Sequence, residues 1–213
     1  MRVGDMVKKV VVIAGGGHSR VVISILKKLK TFKVMGYVDE HDAGLLLGFK
    51  WLGNDRALPK LFKDHICRAA VIGVGCVRAD STREKIFKRI KAIGFEFPVV
   101  ISPAAIINED VAIDEGVVVL DRAVVNCGAR IERGGIINTG AIIEHDAHIG
   151  EFTHIASGAV IGGAVRVGKR SFIGSGAAII QCCKVTDDCT VGAGGVVIRD
   201  IIKKGVYVGN PVH

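Results

Sequence analysis

A six-residue repeat runs through the second half of the chain, from about residue 105 to residue 200. When the chain is read in blocks of six from Ala105, the third residue of every block is Ile or Val, and no block contains an insertion. An amphipathic helix repeats its apolar positions about every 3.6 residues, so a long helix does not fit. Short flat strands alternate with a period of two, and six is a multiple of two, so strands joined by tight corners do fit.

Gly, Asp or Asn often stands in the fifth or sixth position of a block, where a corner needs unusual backbone angles. Three blocks then make one triangular coil, and stacked coils place the Ile and Val side chains inside. The repeat therefore predicts a parallel β-helix of about five coils, in a domain spanning residues 102–213. The predicted inward positions are Ile107, Ile113, Val119, Val125, Ile131, Ile137, Ile143, Ile149, Ile155, Ile161, Val167, Ile173, Ile179, Val185, Val191 and Val197.

Residues 1–101 show a different pattern, in which strands and helices alternate. We expect a strand over residues 7–14, a glycine turn at 15–17, a helix over 20–30 and a second strand over 33–38. This order is typical of a Rossmann-like α/β domain. A glycine turn before a helix places backbone N–H groups at the helix N-terminus, where a phosphate is stabilised.

The rest of this domain is predicted to hold a third strand over residues 69–74 and a fourth over 96–100. Between them we expect a helix that opens with the capping box Ser81–Glu84 and ends at Gly94. That is about half of a dinucleotide fold, with room for one nucleotide. The dinucleotide fingerprint also fails, because Arg20 stands where its third glycine is needed, and a nicotinamide oxidoreductase is disfavoured.

The net charge of +8 is compatible with nucleic acid, an anionic membrane face or a polyanionic small molecule as a partner. Only eight Phe, two Tyr and one Trp are present, and no basic run is interleaved with them, so no nucleic acid is expected. CoA and nucleotide sugars carry phosphates that a basic protein attracts, although ordinary solvated lysines explain many of the charges. The six cysteines form no C-x-x-C pair, and we interpret them as core or corner residues. With no signal peptide and no long apolar run, we expect a cytoplasmic protein without membrane insertion.

Four segments carry a resemblance to a known family: IAGGGHSRVV (13–22), YVDE (37–40), IGVG (72–75) and IINTGAIIEHDAHIGEFTHIASGAVIGG (136–163). They resemble the bacterial nucleotide-sugar acetyltransferases, and the resemblance spans nearly the whole chain. This group includes the N-acetyltransferases of bacillosamine, perosamine and related 4-amino-sugar pathways, and the sialic acid O-acetyltransferases. The resemblance implies a left-handed β-helix, acetyl-CoA as co-substrate, a nucleotide sugar as acceptor and a homotrimer with the acyl-CoA groove between subunits.

Acyl transfer from a thioester needs removal of the acceptor's proton, and a histidine next to a carboxylate suits that role. The resemblance assigns the general base to His145 and the acid that increases its basicity to Asp146. Gly163 follows His145 by eighteen residues, so the two should stack one coil apart, and an N–H there would support the thioester oxyanion. The other positions that the resemblance places against acetyl-CoA are His154, Ser175 and Ala193, with Ala193 replacing a glycine of the family.

The resemblance also implies a nucleotide site in the N-terminal domain. The family's turn reads G-x-G-G-H or G-x-S-G-H, and here Ala14 occupies the first glycine. The implied contacts are Gly16, Gly17 and His18, with Asp39, Glu40 and Gly75 beside them. Asn138 is expected to orient the acceptor or the base.

Three other readings remain. Carbonic anhydrases on the same β-helix set three histidines around a metal, but the spacing of His145, His148 and His154 does not match theirs, and no metal is expected. Serine acetyltransferases share the repeat but carry a helical N-terminal domain. A non-catalytic β-helix binding protein would transfer no acetyl group. Within the resembled family, these residues do not separate N-acetylation from sialic acid-type O-acetylation.

Overall fold

The structure is a computed structural model that describes residues 7–213. In chain order these residues form β1 (Lys8–Ile13), α1 (Gly17–Lys28), β2 (Phe32–Val38), a 3-10 turn (Asp55–Ala57), α2 (Leu58–Lys63), β3 (Ala69–Ile72), α3 (Thr82–Ile93), β4 (Val100–Ile101), β5 (Ile106–Ile107), β6 (Ala112–Ile113), β7 (Val118–Val119), β8 (Val124–Val125), β9 (Arg130–Ile131), β10 (Ile136–Ile137), β11 (Ile142–Ile143), β12 (His148–Ile149), β13 (His154–Ile155), β14 (Val160–Ile161), β15 (Arg166–Val167), β16 (Phe172–Ile173), β17 (Ala178–Ile179), β18 (Lys184–Val185), β19 (Thr190–Val191), β20 (Val196–Val197) and β21 (Val206–Tyr207). None of the helices among these residues is long and apolar enough to cross a membrane.

The chain divides into two compact units. The first holds residues up to Val74 together with Lys85–Pro98, and the second holds Gly75–Glu84 together with Val99–His213. The segment 75–84 interrupts the first unit in the sequence but belongs to the second. The sequence pattern did not indicate this exchange, because a boundary drawn from periodicity is a single point along the chain.

The first unit contains a three-stranded parallel sheet in the order β2-β1-β3. The predicted fourth strand over 96–100 is wrong: Glu96 makes only an isolated bridge to Ala69, and Val100 begins the first strand of the β-helix. Helix α1 begins at Gly17, three residues before the predicted start, and helix α2 was not predicted. The buried face of α1 carries Ser19, Val22, Ile23, Ile25 and Leu26.

The second unit is a parallel β-helix of about six turns, one more than predicted. Its strands stack into three faces. The first face is β21-β19-β16-β13-β10-β7-β4, the second is β20-β17-β14-β11-β8-β5, and the third is β18-β15-β12-β9-β6. The register is regular: strands pair eighteen residues apart, as Ile137 pairs with Ile155, except at the C-terminal end, where Thr190 pairs with Val206, sixteen residues on.

The predicted inward ladder is confirmed. The inward residues from Val119 to Val197 are buried, with alanine or valine in the small position of several blocks, such as Ala123, Ala141 and Ala159. The first residue of each strand points outward, and the chemical character of these outward residues differs from face to face. On the second face these residues are all apolar, and none is fully buried: Ile106, Val124, Ile142, Val160, Ala178 and Val196. On the third face they are Ala112, Arg130, His148, Arg166 and Lys184.

Segment 75–84 packs against the first face of the β-helix. The backbone N–H of Ala79 donates to Thr190 Oγ1 at 2.8 Å. At the other end of the segment, Glu84 Oε2 lies 3.5 Å from Arg170 Nη1. The Arg170 guanidinium also donates a bidentate hydrogen bond to Asp188, from Nε to Oδ1 at 2.7 Å and from Nη2 to Oδ2 at 2.8 Å. This hydrogen bonding raises the pKa of Arg170 and lowers the pKa of Asp188. The segment is therefore fixed to the β-helix at both ends.

Candidate active site

The strongest candidate for catalysis lies at the corner that follows β11 on the second face. His145 Nδ1 lies 2.9 Å from Asp146 Oδ2, and both side chains are exposed, at 61% and 68%. An ionised carboxylate only accepts hydrogen bonds, so in the neutral imidazole Nδ1 carries the proton and Nε2 keeps its lone pair. Asp146 sits at the tip of the corner with φ of +57°, a conformation that Asp tolerates better than most residues. The pair thus presents a basic nitrogen to solvent.

Two glycines make room for this pair. A Cβ on Gly163, one coil later, would lie 2.6 Å from His145 Nε2, and a Cβ on Gly128, one coil earlier, would lie 2.6 Å from Asp146 Oδ1. Neither distance is tolerated between real atoms, so any other residue at 163 or 128 would push the imidazole or the carboxylate away. The predicted stacking of Gly163 on His145 is therefore found. Its role towards CoA stays a prediction.

Gly163 also offers a hydrogen-bond donor. Its carbonyl accepts from Cys182 N at 2.9 Å, whereas its N–H makes no hydrogen bond to any residue that the structure describes. Beside it, Ala164 N donates to the carbonyl of His145 at 2.8 Å, which fixes the backbone of the two corners. An N–H next to a basic nitrogen is the arrangement that stabilises an oxyanion formed by attack on a carbonyl.

The other residues predicted to contact acetyl-CoA lie at a different corner. Ser175 and Ala193 belong to the corners that precede β17 and β20, whereas His145 and Gly163 belong to corners that follow β11 and β14. The two pairs therefore border opposite edges of the second face. Within one chain the structure does not bring them together.

His154 is buried rather than open to solvent. It is the outward residue of β13 on the first face, yet only 5% of it is exposed. Its Nε2 lies 3.0 Å from Asn138 Nδ2 and its Nδ1 lies 3.4 Å from Cys76 Sγ. The predicted contact of His154 with acetyl-CoA stays a prediction. The hydrogen bond to Asn138 joins two predicted site residues that the sequence did not connect.

His148 points outward on the third face, where its Nε2 lies 2.8 Å from Glu132 Oε1. His145, His148 and His154 thus lie at a corner, on the third face and on the first face. Among residues 7–213, no group of three or more His, Cys, Asp or Glu side chains could hold a metal ion.

A second candidate site lies in the first unit, at the carboxyl ends of its strands. A cavity of about 150 Å³ is found there. It is lined by Ile13, Ala14, Val38, Asp39, Glu40, Asp55, Val74, Ile86 and Arg89. Ligands of open parallel sheets bind at this edge, where the strand order reverses. Asp39 and Glu40 are among the residues predicted from the sequence. Asp55 and Arg89 form an ion pair there and were not predictable, because they come from separate helical segments.

The glycine turn after β1 has distinct requirements at each position. Ala14, which stands where the resembled family has glycine, adopts φ of +92°, a conformation that glycine reaches without strain. A Cβ on Gly15 would lie 2.8 Å from the ring of Tyr37, and Gly15 N donates to Asp39 Oδ2 at 2.6 Å. Asp39 therefore holds the turn.

Gly16 and Gly17 face open space, with no atom within 4 Å of an added Cβ. Gly16 caps α1 without a side-chain hydrogen bond, and His18 follows in the first turn. The backbone at these two glycines is thus uncovered at the N-terminus of α1. Their contact with a nucleotide stays a prediction. Gly75 begins the segment that belongs to the second unit.

The sequence analysis also missed Ser19. Its side chain is fully buried, and its Oγ lies within hydrogen-bond distance of the carbonyl oxygens of Ala14 and Gly73, at 2.7 and 3.1 Å, to which its hydroxyl donates. A Cβ on Gly73 would lie 2.1 Å from this hydroxyl. Ser19 therefore joins the turn after β1 to the end of β3 and shapes the edge at which the cavity lies.

Residues 9–90 match the family described as the PglD N-terminal domain. Among solved structures, the chain is similar to a histidine-to-alanine mutant of GDP-perosamine N-acetyltransferase from Caulobacter crescentus in complex with CoA and GDP-perosamine. The identity is 33%, over 97% of this chain and 96% of that chain, with a TM-score of 0.92. No curated protein sequence matches this chain.

Two further solved structures are similar. The acetyltransferase domain of PglB from Neisseria gonorrhoeae, in complex with acetyl coenzyme A, is 33% identical over 97% of this chain and 98% of that chain, with a TM-score of 0.90. WeeI from Acinetobacter baumannii is 22% identical over 97% and 99%, with a TM-score of 0.80, and this likeness concerns the fold alone.

Proposed function

The chain belongs to the nucleotide-sugar acetyltransferases of the hexapeptide-repeat β-helix family and is an acetyl-CoA-dependent sugar acetyltransferase; from this premise we propose that it N-acetylates a nucleotide-linked 4-amino-4,6-dideoxy sugar, with His145 as general base. The single observation that carries the proposal is the His145–Asp146 pair, with its free Nε2 over the Cα of Gly163.

In the proposed reaction, the sugar amine attacks the carbonyl carbon of the thioester. His145 Nε2 accepts the proton that the amine loses as the C–N bond forms, and the Gly163 N–H stabilises the negative charge on the thioester oxygen. The C–S bond then breaks, and the CoA thiolate takes the proton from His145. Asp146 holds the imidazole in the tautomer that this requires and stabilises the imidazolium. No covalent acyl-enzyme takes part.

The choice of an amino sugar is supported by a relative of 33% identity that is named as a GDP-perosamine N-acetyltransferase. The test is a thiol-release assay with acetyl-CoA against nucleotide-linked 4-amino sugars and free sialic acids. We expect CoA release with a 4-amino sugar and none with sialic acid. Release only with sialic acid would establish O-acetylation instead, and no release with any acceptor would refute the proposal.

We further propose that the first unit binds the nucleotide of the acceptor at Gly16, Gly17 and His18, beside the cavity that Asp39 and Glu40 line. The support is the open N-terminus of α1 at the carboxyl edge of the sheet, where phosphates are stabilised.

Gly17→Val is expected to raise the KM for the nucleotide sugar about tenfold or more, because a branched side chain would cover N–H groups that bind phosphate. An added Cβ meets no atom within 4 Å, so the substitution should leave the fold intact. The KM for acetyl-CoA should not change. Initial-rate kinetics with each substrate varied would check this, and an equal rise of both KM values would contradict the assignment.

We propose that the protein is a homotrimer whose acyl-CoA grooves lie between subunits. The six apolar outward residues on the second face are all at least partly exposed in a single chain, Ile106 and Val160 most of all, and a face of this kind needs covering. The predicted acetyl-CoA contacts also border opposite edges of this face, so His145 of one copy and Ser175 of another would meet only across an interface.

Sedimentation equilibrium is expected to give the mass of three chains. Val160→Glu should break the trimer, because it would bury an unpaired charge where the second face packs against another subunit. Arg166→Glu is the matched control, since it changes an outward residue of the same coil on the third face and should leave the trimer intact. A stable wild-type monomer at micromolar concentration, or a trimer that Arg166→Glu breaks and Val160→Glu does not, would contradict the proposal.

A further inference from the structure

Three polar side chains in contact, of which the middle one is buried, lead from segment 75–84 to the corner that precedes β11. They form a chain that runs from Cys76 to His154 and on to Asn138, and Phe172 closes it on one side with its ring edge-on to the imidazole at 5.3 Å. Cys76 is half-buried and is neither a core nor a corner residue of the β-helix, in contrast to our interpretation of the cysteines.

The hydrogen bonds of Asn138 determine the direction of this chain. Thr139 N, a backbone donor, lies 2.8 Å from Asn138 Oδ1. The oxygen is therefore the acceptor for Thr139, and the Nδ2 amide group must face His154. Because Nδ2 only donates, His154 Nε2 accepts, and the imidazole proton is on Nδ1. The Nδ1–H then points to the sulfur of Cys76.

Cysteine proteases contain a similar hydrogen-bonded series, in which a cysteine is the nucleophile, a histidine is the base and an asparagine orients the histidine. That role needs a histidine whose Nδ1 accepts the thiol proton, with Nε2–H donating to the asparagine oxygen. Here the opposite direction holds, because turning the Asn138 amide would place its NH2 group against Thr139 N–H. Burial also raises the pKa of the Cys76 thiol to about 11, so the thiol is neutral near pH 7.

Arg83 lies beside this chain. It is only 2% exposed, and none of its three guanidinium nitrogens has a hydrogen-bond partner among residues 7–213. Burial lowers the pKa of Arg83 to about 10. The charge of Arg83 opposes the effect of burial on the pKa of Cys76 but does not outweigh it, because burial is the larger cause.

We propose that Cys76 is a positioning residue of the acetyl-transfer site: its sulfur accepts the Nδ1–H of His154 and holds the imidazole in the orientation in which Nε2 accepts from Asn138 Nδ2. The side-chain amide of Asn138 is thereby held from both sides, by Thr139 N at its oxygen and by His154 at its nitrogen. Asn138 lies in the corner that precedes β11. The corners that hold Ser175 and Ala193 precede β17 and β20, so all three corners stack along the same edge of the second face. The consequence for acetyl transfer rests on the function proposed above. The tautomer itself does not.

The first test is the ¹⁵N NMR spectrum of His154, assigned by comparison with His154→Gln. The wild-type protein should show the Nδ1–H form. Cys76→Ala removes the acceptor of the Nδ1–H hydrogen bond and should shift the Nδ1 resonance, whereas Cys76→Ser supplies an oxygen acceptor and should keep this resonance near its wild-type position. An Nε2–H form in the wild type, or a Cys76→Ala spectrum identical to the wild-type one, would overturn the proposal whether or not the protein transfers acetyl groups.

The second test is kinetic. Losing a hydrogen bond to a neutral group should cost Cys76→Ala about two- to tenfold in kcat/KM, and Cys76→Ser should recover most of it. Cys67→Ala is the matched control, since Cys67 is a buried cysteine in the first unit and burial raises the pKa of its thiol to about 11 as well. Loss of activity in Cys67→Ala equal to that in Cys76→Ala would contradict a specific role.

Mass spectrometry after incubation with acetyl-CoA separates positioning from nucleophilic catalysis. We expect no acetyl group on Cys76. A thioester at Cys76 that forms at the rate of turnover would overturn the proposal in favour of an acyl-enzyme.

Discussion

His145→Ala is expected to lower kcat by about 10² to 10⁴, the usual contribution of a general base, with little change in either KM. The reason is geometric: Asp146 Oδ2 lies 2.9 Å from Nδ1 and accepts its proton in a hydrogen bond, which leaves Nε2 as the imidazole nitrogen with a free lone pair. Because the base acts in the transition state, its loss should not weaken the binding of either substrate. Steady-state kinetics with the 4-amino sugar that gives the fastest CoA release would measure this.

His148→Ala is the matched control, since His148 is a histidine of the next strand that points outward on the third face and hydrogen-bonds to Glu132. It should keep nearly the wild-type kcat. Asp146→Asn should give a smaller loss than His145→Ala, because it removes the charge that favours the imidazolium but keeps the base. The assignment of His145 as base would be wrong if His145→Ala kept more than about a tenth of the wild-type kcat.

Gly163→Ala is expected to lower kcat by about 10², although it adds a single methyl group. The new Cβ would lie 2.6 Å from His145 Nε2 and 2.8 Å from Cε1, so the imidazole must move. A displacement of about 1 Å at a catalytic group costs on the order of 10²-fold in rate. The His145 side chain is exposed and is free to swing outward, so the melting temperature should change little.

Gly205→Ala is the control for this substitution. A Cβ at 205 would meet the ring of Tyr207 at 3.4 Å, an ordinary contact, and Gly205 lies outside the proposed site. Activity and melting temperature should both stay near the wild-type values. A Gly163→Ala protein within threefold of the wild-type kcat would show that the position of the imidazole over Gly163 does not matter for catalysis.

Much of this site was predictable because it lies on a strict repeat. In a solenoid with six residues per side, the number of a residue gives its face, its corner and its neighbour in the next coil. This is why the stacking of Gly163 on His145 could be predicted from a separation of eighteen residues alone. The inward Ile and Val ladder was predictable for the same reason, and the β-helix needed only one turn more than expected.

The N-terminal part was less predictable, since its contacts are not periodic. The pattern located β1, β2, β3 and the helices α1 and α3 within a few residues. It did not reveal that Glu96 makes an isolated bridge instead of a strand, or that Asp55 and Arg89 meet at the cavity edge. These features depend on which segments pack together, and a local pattern carries no information about that.

The sequence by itself determined the β-helix, the corner that carries His145 and Asp146, and the glycine turn before α1, because each follows from residue spacing along one segment. Only the tertiary structure decided that residues 75–84 leave the first unit and pack on the first face of the β-helix. This packing buries His154, places the sulfur of Cys76 at its Nδ1 and leaves Nε2 to Asn138. The physical reason is that burial and hydrogen-bond direction depend on atoms brought together from distant parts of the chain: Cys76 and His154 are 78 residues apart in sequence and in contact in space.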